Sequence, residues 1–137
     1  MTCLPSRKET MRKILLVIMA GLLASGVAAS DLAEERWGAI ALGGNGFGAT
    51  RGSPSVEMAV SGAVRQCEES GGAGECRVRL TYRNQCAAYA TGDDRQVGVA
   101  YAESLAAAGR LALRSCAKTT RHCQIQYAAC SLPSSFN

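Results

Sequence analysis

The chain is poor in the residues that most often do chemistry. It has one histidine, His122, and few large aromatics: one tryptophan, two phenylalanines and four tyrosines in 137 residues. A lone histidine next to a cysteine, Cys123, reads as a surface residue before it reads as a ligand or a base. No CxxC occurs, which argues against a zinc knuckle and against a thioredoxin-type redox pair. No HExxH, GxSxG or GK[ST] is present, and no Ser–His–Asp set is visible by motif. The glycine-rich "GGNGFGATRG" (43–52) lacks the GxGxxG spacing of a dinucleotide loop. It reads as a β-hairpin turning at Asn45-Gly46. Asp93 and Asp94 lie in the equivalent turn "TGDDRQ" (91–96) but are too few for a calcium loop. No cofactor and no metal site is expected.

Positive charge is also scarcer than it first looks. The formal net charge is +4. Met11-Arg12-Lys13 is followed by the uncharged run "ILLVIMAGLLASGVAA" (14–29), with Val27 and Ala29 at the −3 and −1 positions of a cleavage site. That is the pattern of a secretory signal peptide over residues 1–29, with a start at Met11 as an alternative. Its most apolar part, Ile14 to Leu23, is short of the ~20 residues of a spanning helix, so no permanent membrane anchor is expected after cleavage. Four of fifteen basic residues (Arg7, Lys8, Arg12, Lys13) and one of eleven acids (Glu9) precede Ser30. The remainder carries 11 basic and 10 acidic residues, a net charge of +1. A nucleic-acid partner is therefore not expected, because that would need a strongly basic patch or domain.

What remains is about 108 residues from Ser30, one small domain with a modest core. A short linker (30–36) leads into a domain over 37–132, and 133–137 form a tail. Cysteine is the abundant reactive residue. Six follow the leader: Cys67, Cys76, Cys86, Cys116, Cys123 and Cys130. An even number in an exported small domain reads as a disulfide framework, and periplasm or medium as the destination.

The domain repeats itself. "SVEMAVSGAVRQC" (55–67) aligns with "SLAAAGRLALRSC" (104–116) at five identical positions without a gap. Each is followed by a polar turn, a cysteine and an alternating segment, "CRVRLTY" and "CQIQYAA". Upstream, "WGAIALG" (37–43) matches "CAAYATG" (86–92), and "GFGAT" (46–50) matches "VGVAY" (97–101). Copy one spans 37–85 and copy two 86–130, each reading strand, strand, helix, strand. Val56, Ala59, Val60, Ala63, Val64 and Cys67 recur at helical spacing, as do Leu105, Ala108, Gly109, Ala112, Leu113 and Cys116. Ser53 suits the first helix cap, with Pro54 in the first turn. Glu57 and Glu103 sit near the positive helix ends. Gly62 and Gly109 suggest close packing on the sheet. The third strands alternate. Cys76, Val78, Leu80 and Tyr82 share one side, with Arg77, Arg79 and Arg83 on the other. Cys123, Ile125, Tyr127 and Ala129 share a side in copy two. These features predict an α+β fold in which the two tandem strand-strand-helix-strand repeats form an antiparallel sheet with both helices on one face, stapled by disulfides.

Six cysteines permit 15 connectivities. The repeat favours a local bond in each copy, Cys67–Cys76 and Cys116–Cys123, which leaves Cys86–Cys130 across the seam. Cys76 and Cys86 are poor partners for each other, being ~33 Å apart along one extended segment at ~3.3 Å per residue.

"WGAIA", an alanine-rich helix ending in cysteine, "CRVRLTYRNQCAAYATG" and a second helix-Cys-strand-Cys unit together resemble the domain of unknown function 4189 family. Its members are small exported bacterial proteins. The resemblance covers Trp37–Cys130 and implies compartment and duplication, not an activity. The functional expectation is an exported, non-enzymatic binding module for a protein or an envelope component. An inhibitor or protective partner of a secreted toxin or envelope hydrolase would be of this kind. Arg77, Arg79 and Arg83 are its candidate contact residues, as a strip for an acidic partner. Two alternatives stand beside it: a small hydrolase using carboxylates or His122, and a structural or stress-related envelope protein.

Overall fold

A computed structural model describes residues 34–134. The leader at 1–29, the linker up to residue 33 and the end of the tail lie outside them. Eight regular elements follow in order: β1 (Trp37–Gly43), β2 (Gly46–Ser53), α1 (Val56–Cys67), β3 (Arg77–Arg83), β4 (Cys86–Thr91), β5 (Val97–Ala102), α2 (Leu105–Ala117) and β6 (Gln124–Cys130). This is an α+β domain made of two strand-strand-helix-strand units. All strand pairs are antiparallel.

The layering differs from a single sheet with both helices on one face. The strands form two three-stranded sheets, ordered β2-β1-β3 and β5-β4-β6, one per copy. Each helix packs on its own sheet. Ala39 and Ala41 of β1 meet Ala59, Ala63 and Cys67 of α1. Ala88 and Ala90 of β4 meet Ala108, Ala112 and Cys116 of α2. The opposite sheet faces meet each other through Ile40, Leu42, Tyr82 and Ala87, with Phe47, Leu80, Tyr89, Val97 and Tyr127 around them. The order is therefore helix, sheet, sheet, helix. The central strands are buried on both faces, which a one-sided antiparallel sheet would not be.

Local chemistry starts and ends the helices. Ser55, not Ser53, caps α1: its Oγ accepts the Met58 N–H at 3.3 Å. Ser104 caps α2 in the same way, accepting from Ala107 N at 3.2 Å. A wide helical turn, Glu68–Gly72, ends the first helix through Gly71 and Ala73, both at positive φ. In the first hairpin Gly43 pairs with Gly46, so the turn residues are Gly44-Asn45, one earlier than Asn45-Gly46. Gly44 takes the positive φ of 57° there.

The third strands are not straight. Ile40 pairs with Leu80 and Ala41 with Val78, so Arg79 is an extra residue. Tyr89 pairs with Tyr127 and Ala90 with Ile125, so Gln126 is extra at the equivalent place. A bulge shifts the side-chain phase by one residue. Cys76 therefore belongs to the helix-side cluster, and Leu80 and Tyr82 to the cluster between the sheets. Cys76 and Val78 therefore do not share a face with Leu80 and Tyr82, and Cys123 and Ile125 do not share one with Tyr127 and Ala129.

The strand register also corrects the repeat alignment by one residue. Gly48 pairs with Ala41, and Gly98 pairs with Ala90. These two glycines are the equivalent pair.

Three disulfides join Cys67 to Cys76, Cys116 to Cys123 and Cys86 to Cys130. The first two tie each helix end to its own third strand. The last joins directly opposed residues of β4 and β6. Alanine contacts bury little area, ~0.8 kcal/mol per methyl-sized group, so the crosslinks matter more than in a leucine-rich core. Three such bonds belong to an oxidising compartment outside the cytoplasm. No helix among the described residues is long and apolar enough to cross a membrane.

Tyr82 anchors the layer between the sheets. It is buried, and its hydroxyl donates to the Thr50 carbonyl at 3.1 Å. Burial first, then the neighbouring Tyr127, pushes its ionisation well above the ordinary tyrosine value of 10.0. A group whose folded pKa is raised stabilises the fold below its unfolded pKa and loses that contribution as pH rises. Stability should therefore fall above about pH 10, where unfolded Tyr82 ionises and the folded side chain resists. Tyr82→Phe should lower stability at neutral pH by ~1 kcal/mol and flatten that alkaline decline. Urea melts from pH 8 to 11 would measure both.

Candidate functional site: a groove where the repeat departs from itself

Arg77, Arg79 and Arg83 do not form one strip. Arg77 pairs with Leu42, whose side faces the other sheet. Arg83 pairs with Trp37, on the helix side. Arg79 is the bulge residue between them. Their partners differ as well. Arg77 Nη1 donates to the Cys76 carbonyl at 3.0 Å. Arg83 Nη1 donates to Glu35 Oε1 at 2.7 Å, and its guanidinium carbon lies 5.6 Å from the centre of the Trp37 ring. Glu68 does not serve these arginines; it accepts from the Gly74 and Cys76 backbone N–H groups.

Of the three, Arg83 lies in a cleft. A groove of about 480 Å³ opens at the end of the first sheet. Trp37 and Arg83 form one wall, and the β3–β4 connection with Asn84 and Gln85 forms the floor. Tyr101 of β5 closes the far side, and Thr81 and Tyr82 complete the lining. Tyr101 is 52% exposed, one of the few large apolar side chains left open. Glu35 holds the wall together, since its second oxygen accepts the Trp37 indole N–H at 3.3 Å. Asn84 sets the turn. It adopts φ 51°, tolerable for asparagine, and exchanges two bonds with Arg36, N–H to Oδ1 at 2.8 Å and N–H to carbonyl at 2.9 Å.

The groove sits where the duplication is broken. Trp37 and Arg83 are cross-strand partners in copy one. Their counterparts in copy two are Cys86 and Cys130, also cross-strand partners, joined by the seam disulfide. Where copy two is closed by a covalent bond, copy one has an indole stacked under a guanidinium, beside an open groove. Among the groove residues, only Arg83 was a candidate on sequence grounds. The available signal was Trp37, the sole tryptophan, aligned with a cysteine.

A second cleft of about 290 Å³ lies between the two hairpin turns. Phe47 stacks on Tyr89 there at 5.4 Å, and Arg95 Nη1 donates to Asn45 Oδ1 at 2.7 Å. These contacts fasten one copy's turn to the other's.

His122 does meet an acid. Its Nδ1 lies 2.8 Å from Asp93 Oδ2, but the two side chains are 79% and 54% exposed. Asp93 N–H donates to the Arg121 carbonyl, and Thr120 Oγ1 donates to the Asp93 carbonyl. The pair belongs to a brace between two surface loops. Among the described residues no group of three or more His, Cys, Asp or Glu side chains is placed to hold a metal ion.

Fold and crosslinks define a class: a small, internally duplicated α+β domain with one helix-to-strand disulfide in each copy and a further one closing the sheet of the second. The sequence profile of a domain of unknown function, number 4189, matches residues 37–130. The chain belongs to that family. No curated protein and no solved structure matches it.

Proposed function

We propose that the protein is an exported binding module without catalytic activity, working in the periplasm or the medium, and that the groove between Trp37 and Tyr101 is its recognition surface. The observation that carries this reading is the broken symmetry. The two copies share layers, third-strand bulges and helix-tying disulfides, yet a groove opens where the Trp37–Arg83 pair of copy one stands in place of the Cys86–Cys130 bond of copy two. A crosslinked frame suits such a surface, because little conformational freedom is lost when a partner binds. The partner is a protein or an envelope component, and an inhibitor or protective partner of a secreted toxin or envelope hydrolase would need no more than this surface.

Capture from envelope extracts tests it, using the oxidised protein recovered from expressing cells. The wild type should retain the same component in repeated captures, and Tyr101→Ala should retain at least ~10-fold less. Equal retention by Tyr101→Ala would put the recognition surface elsewhere. Repeated captures that return nothing would remove the binding reading.

A further inference from the structure

The chemistry of the groove narrows what fills it. We infer that the groove takes an uncharged saccharide, a neutral glycan segment of the envelope, held by Tyr101 and Gln85 beside Trp37; this rests on the binding reading above.

The groove's formal charge is already balanced. Arg83 is its only ionised lining residue, and Glu35 holds that guanidinium at 2.7 Å. An anionic ligand would have to compete with Glu35 for Arg83. A cationic one would have no acid to itself, because Glu35 also accepts the Trp37 N–H. What the groove offers freely is an aromatic face and the planar amide of Gln85. Tyr101 presents its ring to solvent, and the Gln85 side chain makes no hydrogen bond among the described residues while its backbone carbonyl holds Ser131 N–H at 2.8 Å. A sugar ring has an apolar C–H face for an aromatic ring and an equatorial rim of hydroxyls for an amide. The volume falls in the ~300–1,000 Å³ range of small-ligand sites.

The protein supplies its own reporter. Trp37 is the only tryptophan, so its emission reads the groove directly. Oxidised protein is titrated with neutral tetrasaccharides, of N-acetylglucosamine and of glucose, and separately with a sulfated oligosaccharide. At least one neutral tetrasaccharide should give a saturable emission change at up to ~1 mM. Tyr101→Ala should weaken it ~10-fold or more and Gln85→Ala several-fold, without moving the melting temperature, since Tyr101 is exposed and the Gln85 side chain is unbonded. Arg77→Ala, outside the groove, should change nothing. Silence with every neutral saccharide overturns the inference, as does tighter binding of the sulfated one or indifference to Tyr101→Ala. If the saccharides are silent while Tyr101→Ala still abolishes capture from extracts, the binding reading stands and the saccharide falls.

Discussion

Alanine at Gly98 should lower the melting temperature by more than ~10 °C, although it adds a single methyl group. Gly98 lies on β5 directly beneath α2. A Cβ there would overlap the Ala112 carbonyl oxygen and the Cys116 nitrogen. Both are backbone atoms of a helix whose end is fixed by Cys116–Cys123, so they cannot rotate aside as a side chain could. The helix must lift off the sheet, opening the Ala88, Ala108 and Ala112 contacts. Overpacking of this kind costs ~3 kcal/mol at the upper end of the usual range, and 1 kcal/mol moves the midpoint of a domain this size by ~4–8 °C. Gly48→Ala should behave alike, because its Cβ would meet the Ala63 carbonyl and lie 2.6 Å from the Cys67 nitrogen. The contrast is Gly109→Ala. Gly109 lies inside α2, where a Cβ would meet only Ile125 Cδ1 at 3.9 Å. There alanine should stabilise by up to ~1 kcal/mol through helix propensity. Melts of the three variants by circular dichroism decide the matter. Equal, small shifts would show that the helices are free to move on their sheets.

That contrast shows what the sequence could and could not disclose. Helical spacing from Val56 to Cys67 and from Leu105 to Cys116 marked both helices, and the shared serine and cysteine at their ends marked the duplication. Gly62 and Gly109 looked like the close-packing positions, being glycines inside helices. Gly62 is one, with its missing Cβ 2.8 Å from Thr50 Cγ2; Gly109 is not. Closer approaches to the helix backbone come from the strand side, at Gly46, Gly48 and Gly98, where a glycine gives no sign of what lies above it. The bulges were hidden for a related reason. "CRVRLTY" alternates perfectly, and only the pairing with β1 shows that Arg79 is surplus and that Leu80 and Tyr82 turn to the other sheet. That phase change also separates the three arginines, so a strip legible in the sequence is absent from the surface. The two-sheet layering did leave a trace. In "GAIAL" (38–42) every residue is buried, and an uninterrupted apolar run of that kind belongs to a strand covered on both faces. The groove was the least legible feature, because it joins β1, the β3–β4 turn and β5 across a sheet-to-sheet junction that no local pattern encodes.

Reduction of the three disulfides should unfold the domain at 25 °C. The loops they close differ in length: 44 residues for Cys86–Cys130 against nine for Cys67–Cys76 and seven for Cys116–Cys123. On the chain-entropy estimate the seam bond contributes ~4 kcal/mol and each local bond ~2.5 kcal/mol. Their total, about 9 kcal/mol, is comparable with the whole stability of an ordinary domain, ~5–15 kcal/mol. The small alanine contacts under both helices leave little to replace it. A graded series follows. Cys86→Ala with Cys130→Ala should cost the most, and Cys67→Ala with Cys76→Ala or Cys116→Ala with Cys123→Ala about 1.5 kcal/mol less. The seam variant should also disturb the groove. Cys86 follows Gln85 directly, and the Gln85 carbonyl holds Ser131, the residue after Cys130. Losing the bond should therefore alter Trp37 emission under conditions where the local variants, still folded, leave it unchanged. Denaturant melts with and without reductant, read by circular dichroism and by Trp37 fluorescence, measure both effects. A reduced chain that keeps a cooperative transition near that of the oxidised one would show that the two alanine-faced layers hold without their staples. The groove would then owe its rigidity to packing alone.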